Sequence, residues 1–188
     1  MPELPEVETT VRALRAHLEG MRLEDVAVHR ADLRFPLPPQ FAARLRARRW
    51  LTVHRRAKYI VITLEGGESL LLHLGMSGRL LLAPEPAGPH EHLTFHFADG
   101  RILRFVDPRR FGLVDLWPTA CLDSHPRLRH LGLEPLAPEF SAEALQTRLA
   151  ARRTAIKTAL MDQRLVVGLG NIYAAEALFA ARLSPFAP

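Results

Sequence analysis

A chain of 188 residues, 48% of them apolar, is long enough for one domain or two small ones built around a proper core. Its formal charge of +5 favours a polyanionic partner, although an ordinary basic soluble protein carries as much. No apolar run reaches the roughly 18 to 20 residues of a membrane span, the start MPELPEVETT lacks signal-peptide character, and the single cysteine, Cys121, excludes an internal disulfide or a cysteine-based zinc site within these residues.

These features predict an intracellular protein with no membrane partner. From Pro5 onward, Val7, Val11, Leu14 and Leu18 recur at helical spacing, with a proline and two glutamates in the first turn, where the positive end of the helix dipole accepts acid. A helix therefore begins almost at the chain terminus. Residues 20–118 change to strand-like patterning, including KYIVITLE (58–65), the turn Gly66-Gly67 and SLLLHL (69–74). Around LTFHF (93–97), Leu93, Phe95 and Phe97 point one way and His92, Thr94 and His96 the other, before Asp99-Gly100 turns the chain into RILRFV (101–106). The expected fold class is α+β, with an N-terminal helix and an antiparallel β-sandwich over 1–118.

A Pro-rich passage over 119–138 reads as a linker, and 139–188 as a helical domain with segments near 141–152, 155–161 and 172–182. Ser141 is a candidate N-cap, with Leu145 and Leu149 on one helical face. Arg148, Arg152, Arg153 and Lys157 crowd together with little acid nearby, which is ordinarily just a solvated face. Beside GLGN (168–171), whose glycines let backbone N–H groups approach an anion ahead of a helix N-terminus, the cluster suits a phosphate backbone.

Two features carry chemistry. Of the 25 basic residues only Lys58 and Lys157 are lysines, a pointer to places where a compact, titratable amine is needed and guanidinium will not serve. Removal of Met1 ahead of a small residue would leave Pro2 with a free secondary amine, and an α-amine titrates near 7.7 to 8.0, so a useful fraction is nucleophilic at neutral pH. Attack by such an amine on a sugar C1′ gives a cationic iminium, an electron sink that eases loss of the 3′ phosphate, and Glu3 is the nearest carboxyl group for the proton transfers. The same prolines also serve as helix-start punctuation.

Taken together, PELPEVETT (2–10), RRAKY (55–59), HLGMSG (73–78), DPRRFG (107–112) and GLGNIY (168–173) resemble, in this order and over the whole chain, the formamidopyrimidine-DNA glycosylase family. The resemblance implies a bifunctional glycosylase and abasic-site lyase of base excision repair, acting on damaged double-stranded DNA as a monomer in the cytoplasm or nucleoid of a bacterial-type cell. It implies Pro2 as Schiff-base nucleophile, Glu3 as general acid/base, Glu6 as a wall of the lesion pocket, and Lys58 as phosphate contact and proton donor in β-elimination. His73 matches a phosphate ligand beside the lesion. Met76, Arg109 and Phe111 match the residues that fill the gap left by an extruded nucleotide, which offsets part of an unstacking cost of a few kcal/mol. His90, Arg110, Arg152, Lys157 and Asn171 are the further DNA-binding candidates, the last three within a helix-two-turns-helix domain that is incomplete here.

The trio His90, His92 and His96 invites a metal reading, but no carboxylate or thiolate stands at a matching spacing, and no metal is expected within the chain. The family carries its structural zinc in a four-cysteine finger beyond the residues that match, after a lesion-capping loop. Met76 together with DPRRFG points to oxidised purines, 8-oxoguanine and formamidopyrimidines, over the oxidised pyrimidines of the endonuclease VIII branch. The reading from another class is a non-catalytic or inactive shortened homologue that only binds DNA.

Overall fold

The first helix, α1 (Leu4–Leu18), forms for the reasons its spacing suggests. Leu4, Val7, Val11, Leu14 and Leu18 make one buried stripe, Pro5 occupies the first turn, and Glu3 and Glu6 form a capping box across the N-terminus. The computed structural model describes residues 1–150 and 152–187. Among these the chain divides into two compact units, one of Met1–Arg55 with Tyr59–Leu122, the other of Arg56–Lys58 with the residues from Asp123 onward.

In the first unit the strands are β1 (Leu23–Val28), β2 (Trp50–Arg56), β3 (Tyr59–Leu64), β4 (Glu68–His73), β5 (Arg79–Leu82), β6 (Glu91–Phe97), β7 (Ile102–Val106) and β8 (Leu113–Pro118). They make two four-stranded sheets, ordered β1-β6-β7-β5 and β2-β3-β4-β8. β6 and β7 pair antiparallel around the Asp99-Gly100 turn, as do β3 and β4 around Gly66-Gly67. Alternate residues from both sheets meet in one core with the stripe of α1: Ile60, Ile62, Leu70 and Leu72 from one sheet, and Leu93, Phe95, Leu103 and Phe105 from the other. Trp50 is fully buried and stands edge-on to Phe95 and Phe97, with ring centroids 6.0 and 5.0 Å apart.

Two details depart from the strand pattern. A short helix, α2 (Phe41–Leu45), interrupts it and buries Phe41 and Leu45 one turn apart. Five residues supply only two apolar positions, too few for a period to show. On β6 part of the polar face is buried as well, His92 being 4% and Thr94 2% exposed while His96 stays partly exposed. His92 Nε2 donates to the carbonyl of Asp107 at 2.8 Å, and Thr94 is hydrogen-bonded to Glu91 and to His29, so that part is closed by internal polar partners instead of water.

The second unit holds α3 (Ala142–Leu149), α4 (Ile156–Met161) and α5 (Asn171–Ala180). Ser141 caps α3, its Oγ accepting from Ala144 N–H at 3.1 Å. Ala159, Leu165 and Val166 pack with Phe140, Leu145, Leu149 and Leu169, while Leu160, Ala174 and Leu178 form a second cluster. A parallel bridge joins Leu133 to Val166. No helix among the described residues is long and apolar enough to cross a membrane.

The aromatic core of the first unit sets its stability. Phe95→Ala should cost about 3–5 kcal/mol, read as a lowered urea midpoint with an unchanged slope, because a fully buried ring is lost and the rigid sheets collapse only partly around the gap. A loss below about 1 kcal/mol would mean that this ring does not carry the core.

Candidate active site

The amino end of the chain is held by the helix it starts. Glu3 is 2% exposed at the N-cap of α1, and its backbone N–H donates to Glu6 Oε2 at 2.9 Å. Pro2 is half-buried and Glu6 exposed, so the start of α1 brings together a proline just ahead of the helix, a buried carboxylate and a solvent-facing carboxylate. One turn further on, Glu8 receives Arg12 and Arg55 Nε, each at 2.9 Å. Burial pushes the Glu8 carboxyl up, but those two guanidinium partners outweigh it and hold the group below the usual carboxylate range. Arg55, from RRAKY, thereby fastens α1 to β2.

A second group forms where the β4–β5 and β7–β8 connections meet. His73 ends β4; its Nδ1 accepts from Gly75 N–H at 3.0 Å, which leaves the proton on Nε2, and its ring lies 4.9 Å from that of Tyr59. Met76 is 42% exposed at the tip of its connection, and Phe111, also 42% exposed, is at the tip of the other. The Arg109 guanidinium lies 4.8 Å from the centre of the Phe111 ring. Other large apolar side chains are more exposed, Phe179 and Phe186 among them, so it is the shared setting and not exposure alone that sets Met76 and Phe111 apart.

What roots this group is Asp107, which is fully buried. Its Oδ1 accepts from Ser77 Oγ at 2.6 Å and from Arg109 N–H at 3.3 Å, and its Oδ2 from Gly112 N–H at 2.7 Å. The two connections touch so closely that a Cβ on Gly75, at φ +62°, would stand 2.4 Å from the Phe111 carbonyl carbon. A Cβ on Gly112 would stand 2.5 Å from the Phe105 ring. Arg110 takes the left-handed conformation, φ +55°, and extends an exposed side chain. His90 is exposed, and its carbonyl accepts from Asp107 N–H at 2.9 Å, so it belongs to the same neighbourhood.

The loop that carries His90 has its own anchor. Glu91 and Arg104 form a buried ion pair at 2.5 Å, with side chains 6% and 7% exposed. Arg104 also donates to the carbonyls of Ala83 and Pro84, and Glu91 Oε2 accepts from Ala87 N–H at 2.8 Å. Burial raises the Glu91 carboxyl, but hydrogen bonds from Thr94, Ala87 and Arg104 more than offset it and leave the group below its ordinary range.

In the second unit Lys58 is only 8% exposed, so it is not a lysine extended into solvent. It follows Ala57, itself in the left-handed region at φ +54°. Glu134 holds that turn, its Oε1 accepting from Arg56 Nη1 at 2.8 Å and from Ala57 N–H at 2.5 Å. Arg152 is exposed after α3, Lys157 is half-buried on α4, and Asn171 is exposed as the first residue of α5, so these three candidates come from three stretches of this unit. Gly168, at φ +84°, and the N-cap Gly170 lead into the N-terminal end of α5. That end carries partial positive charge.

Among the described residues no three His, Cys, Asp or Glu side chains come together as a metal-holding group. The histidines near β6 do different work, His92 being bonded to Asp107 and His96 standing partly exposed. The sequence reading does not find Asp107, Ser77, Glu91, Arg104 or Glu134. The first two lie inside quoted motifs, but they are partners 30 residues apart, and no local pattern shows that.

Comparison with known proteins places this geometry among relatives. The formamidopyrimidine-DNA glycosylase N-terminal domain matches residues 1–114, and the H2TH domain of the same family matches residues 131–188. A formamidopyrimidine-DNA glycosylase of Rhodospirillum centenum is 52% identical over 98% of this chain and 68% of its own length. The crystal structure of the MutM (Fpg) protein of Thermus thermophilus is similar with a TM-score of 0.87 and 44% identity, covering 100% of this chain and 67% of that one. A Lactococcus lactis Fpg (MutM), solved with DNA containing N7-benzyl-Fapy-dG, has a TM-score of 0.88 at 31% identity, covering 98% of this chain and 69% of that one.

The Glu91 anchor gives a pH-dependent expectation. A carboxyl whose folded pKa is depressed contributes stability that is complete above its unfolded value near 4.3 and fades as pH falls through the lower folded value. Glu91→Gln, which breaks the buried pair, should cost about 3–5 kcal/mol at pH 7. In urea melts the gap between wild type and variant should stay constant down to about pH 5 and narrow below pH 4. A gap that widens on acidification would contradict the assignment.

Proposed function

Because the chain belongs to the formamidopyrimidine-DNA glycosylase family, we propose that it excises oxidised purines from double-stranded DNA through a Schiff base on Pro2 and then nicks the strand by β-elimination. The observation that carries this reading is the start of α1, where a proline at the second position stands beside a carboxylate that is 2% exposed. A carboxylate desolvated there is suited to exchange protons with a reacting sugar.

With Met1 removed, the lone pair of the Pro2 nitrogen attacks C1′ of the damaged nucleotide as the C1′–N bond to the base breaks, and the proton that the amine nitrogen sheds leaves with the base. Glu3 supplies a proton to the ring oxygen as the deoxyribose opens. The product is an iminium, positively charged at nitrogen with no proton left to lose there. It withdraws electrons from C2′, a C2′ proton is removed, and the C3′–O bond to phosphate breaks. Hydrolysis of the remaining iminium restores the amine.

The remaining candidate residues divide between holding the backbone and opening the duplex. His73 with its Nε2 proton, His90, Arg110, Arg152, Lys157 and Asn171 are assigned to phosphates, together with Lys58, which is also assigned the proton of the elimination step. Met76 and Phe111 are assigned to the gap left by the extruded nucleotide and Arg109 to the base left opposite, with Glu6 facing the lesion.

Borohydride reduction of the chain with DNA bearing an abasic site should trap a covalent adduct once Met1 is removed. Retained Met1 should abolish the adduct, and Pro2→Gly should slow it about tenfold or more. Glu3→Gln should slow base release from intact lesions by about 10²-fold or more. Absence of any adduct with Met1 removed would leave a DNA-binding protein without this chemistry. Faster release of thymine glycol than of 8-oxoguanine would overturn the purine preference.

A further inference from the structure

The residues that open DNA in the reading above sit on two separate connections, Met76 between β4 and β5, Arg109 and Phe111 between β7 and β8. A wedge inserted into stacked bases is pushed back by the energy it takes to unstack them, so side chains on independent loops would yield separately. They are not independent here. Ser77, next to Met76, donates to Oδ1 of Asp107, and the same carboxylate receives Arg109 N–H and Gly112 N–H on either side of Phe111.

Resting on the proposed glycosylase function, we propose that Asp107 is a positioning residue for duplex opening, its buried carboxylate tying the Met76 connection to the Arg109–Phe111 connection so that the three side chains enter DNA as one unit. Several observations converge on it. Asp107 is 0% exposed, so its bonds are not exchanged with water. Its backbone carbonyl also accepts from Arg110 N–H at 3.2 Å and from His92 Nε2 at 2.8 Å, which fixes the residue from both sides. Gly75 allows the two connections to approach until no Cβ fits between them, and Gly112 sits so close over the Phe105 ring that no Cβ fits there either. Asp107 itself has no exposed atom to offer the DNA, so its effect passes through its neighbours.

The test separates duplex opening from amine chemistry in the full chain freed of Met1. Single-turnover base release is measured on duplex DNA with 8-oxoguanine, and borohydride trapping on a single-stranded abasic oligonucleotide, which needs no wedge. Ser77→Ala and Asp107→Asn should slow duplex release about ten- to a hundredfold while trapping on the single strand stays within about twofold. Ser77→Ala keeps the Asp107–Gly112 bond, which guards against loss of the fold, and thermal melting checks both variants. Combined with Met76→Ala, either substitution should add little, because parts of one unit are not additive. Equal slowing on both DNAs, no slowing on the duplex, or a multiplicative combination with Met76→Ala would overturn the inference. A wild-type chain that traps on neither DNA would instead bring down the glycosylase reading on which it rests.

Discussion

The carboxylate of Asp107 collects hydrogen bonds from residues that the chain delivers by different routes, Ser77 from one inter-strand connection and Arg109 and Gly112 from another. Burying a carboxylate is costly, and the cost is offset only when several donors meet it at once. The donors must therefore stay where they are, and the connections they belong to lose their freedom to move apart. The glycines at 75 and 112 follow from the same constraint, since any side chain there would collide with Phe111 backbone or the Phe105 ring. Side chains as exposed as Met76 and Phe111 can be rigid only if their backbone is fixed from beneath in this way.

The same device recurs at other candidate positions. Glu91 with Arg104 roots the loop ahead of His90, Glu134 roots the turn before Lys58, and Glu6 accepts from the backbone of Glu3. Glu91 and Glu134 are engaged inward in this way, while Glu6 and the side chains of Arg109, Arg110, Arg152 and Arg153 are exposed. Each of the two ion pairs, Glu91 with Arg104 and Glu134 with Arg56, cancels one charge of each sign, so the net charge of +5 is carried by the remaining residues. For a ligand made of phosphates this matters twice: the loops are stiffened, and carboxylates that would repel the ligand are neutralised locally.

What was legible in the sequence was whatever is local. The stripe of α1, the β6–β7 hairpin around Asp99-Gly100 and the Ser141 cap are set by spacing within a few residues, and each is found where its pattern puts it. The motif strings led to the family because their residue types and order are specific even without a structure. Asp107 lies in one of those strings, yet an aspartate before a proline reads as turn punctuation. Its function depends on Ser77, 30 residues earlier, and Glu134 reaches a turn 77 residues away. Such long-range partnership leaves no period or spacing to read. The helix α2 escaped for the opposite reason, being too short to repeat.

The two lysines show how far composition alone can be pushed. Their rarity marks Lys58 and Lys157 equally, but the structure separates them: Lys58 is 8% exposed in a turn held by Glu134, and Lys157 is half-buried on α4. A guanidinium at position 58 would need room and acceptors for five donors in a fixed plane, in a turn where Arg56 is already paired with Glu134. An ammonium asks for less space and can give up a proton as its surroundings change. Burial, not scarcity, is therefore what singles out Lys58, and scarcity gains meaning only once burial is known.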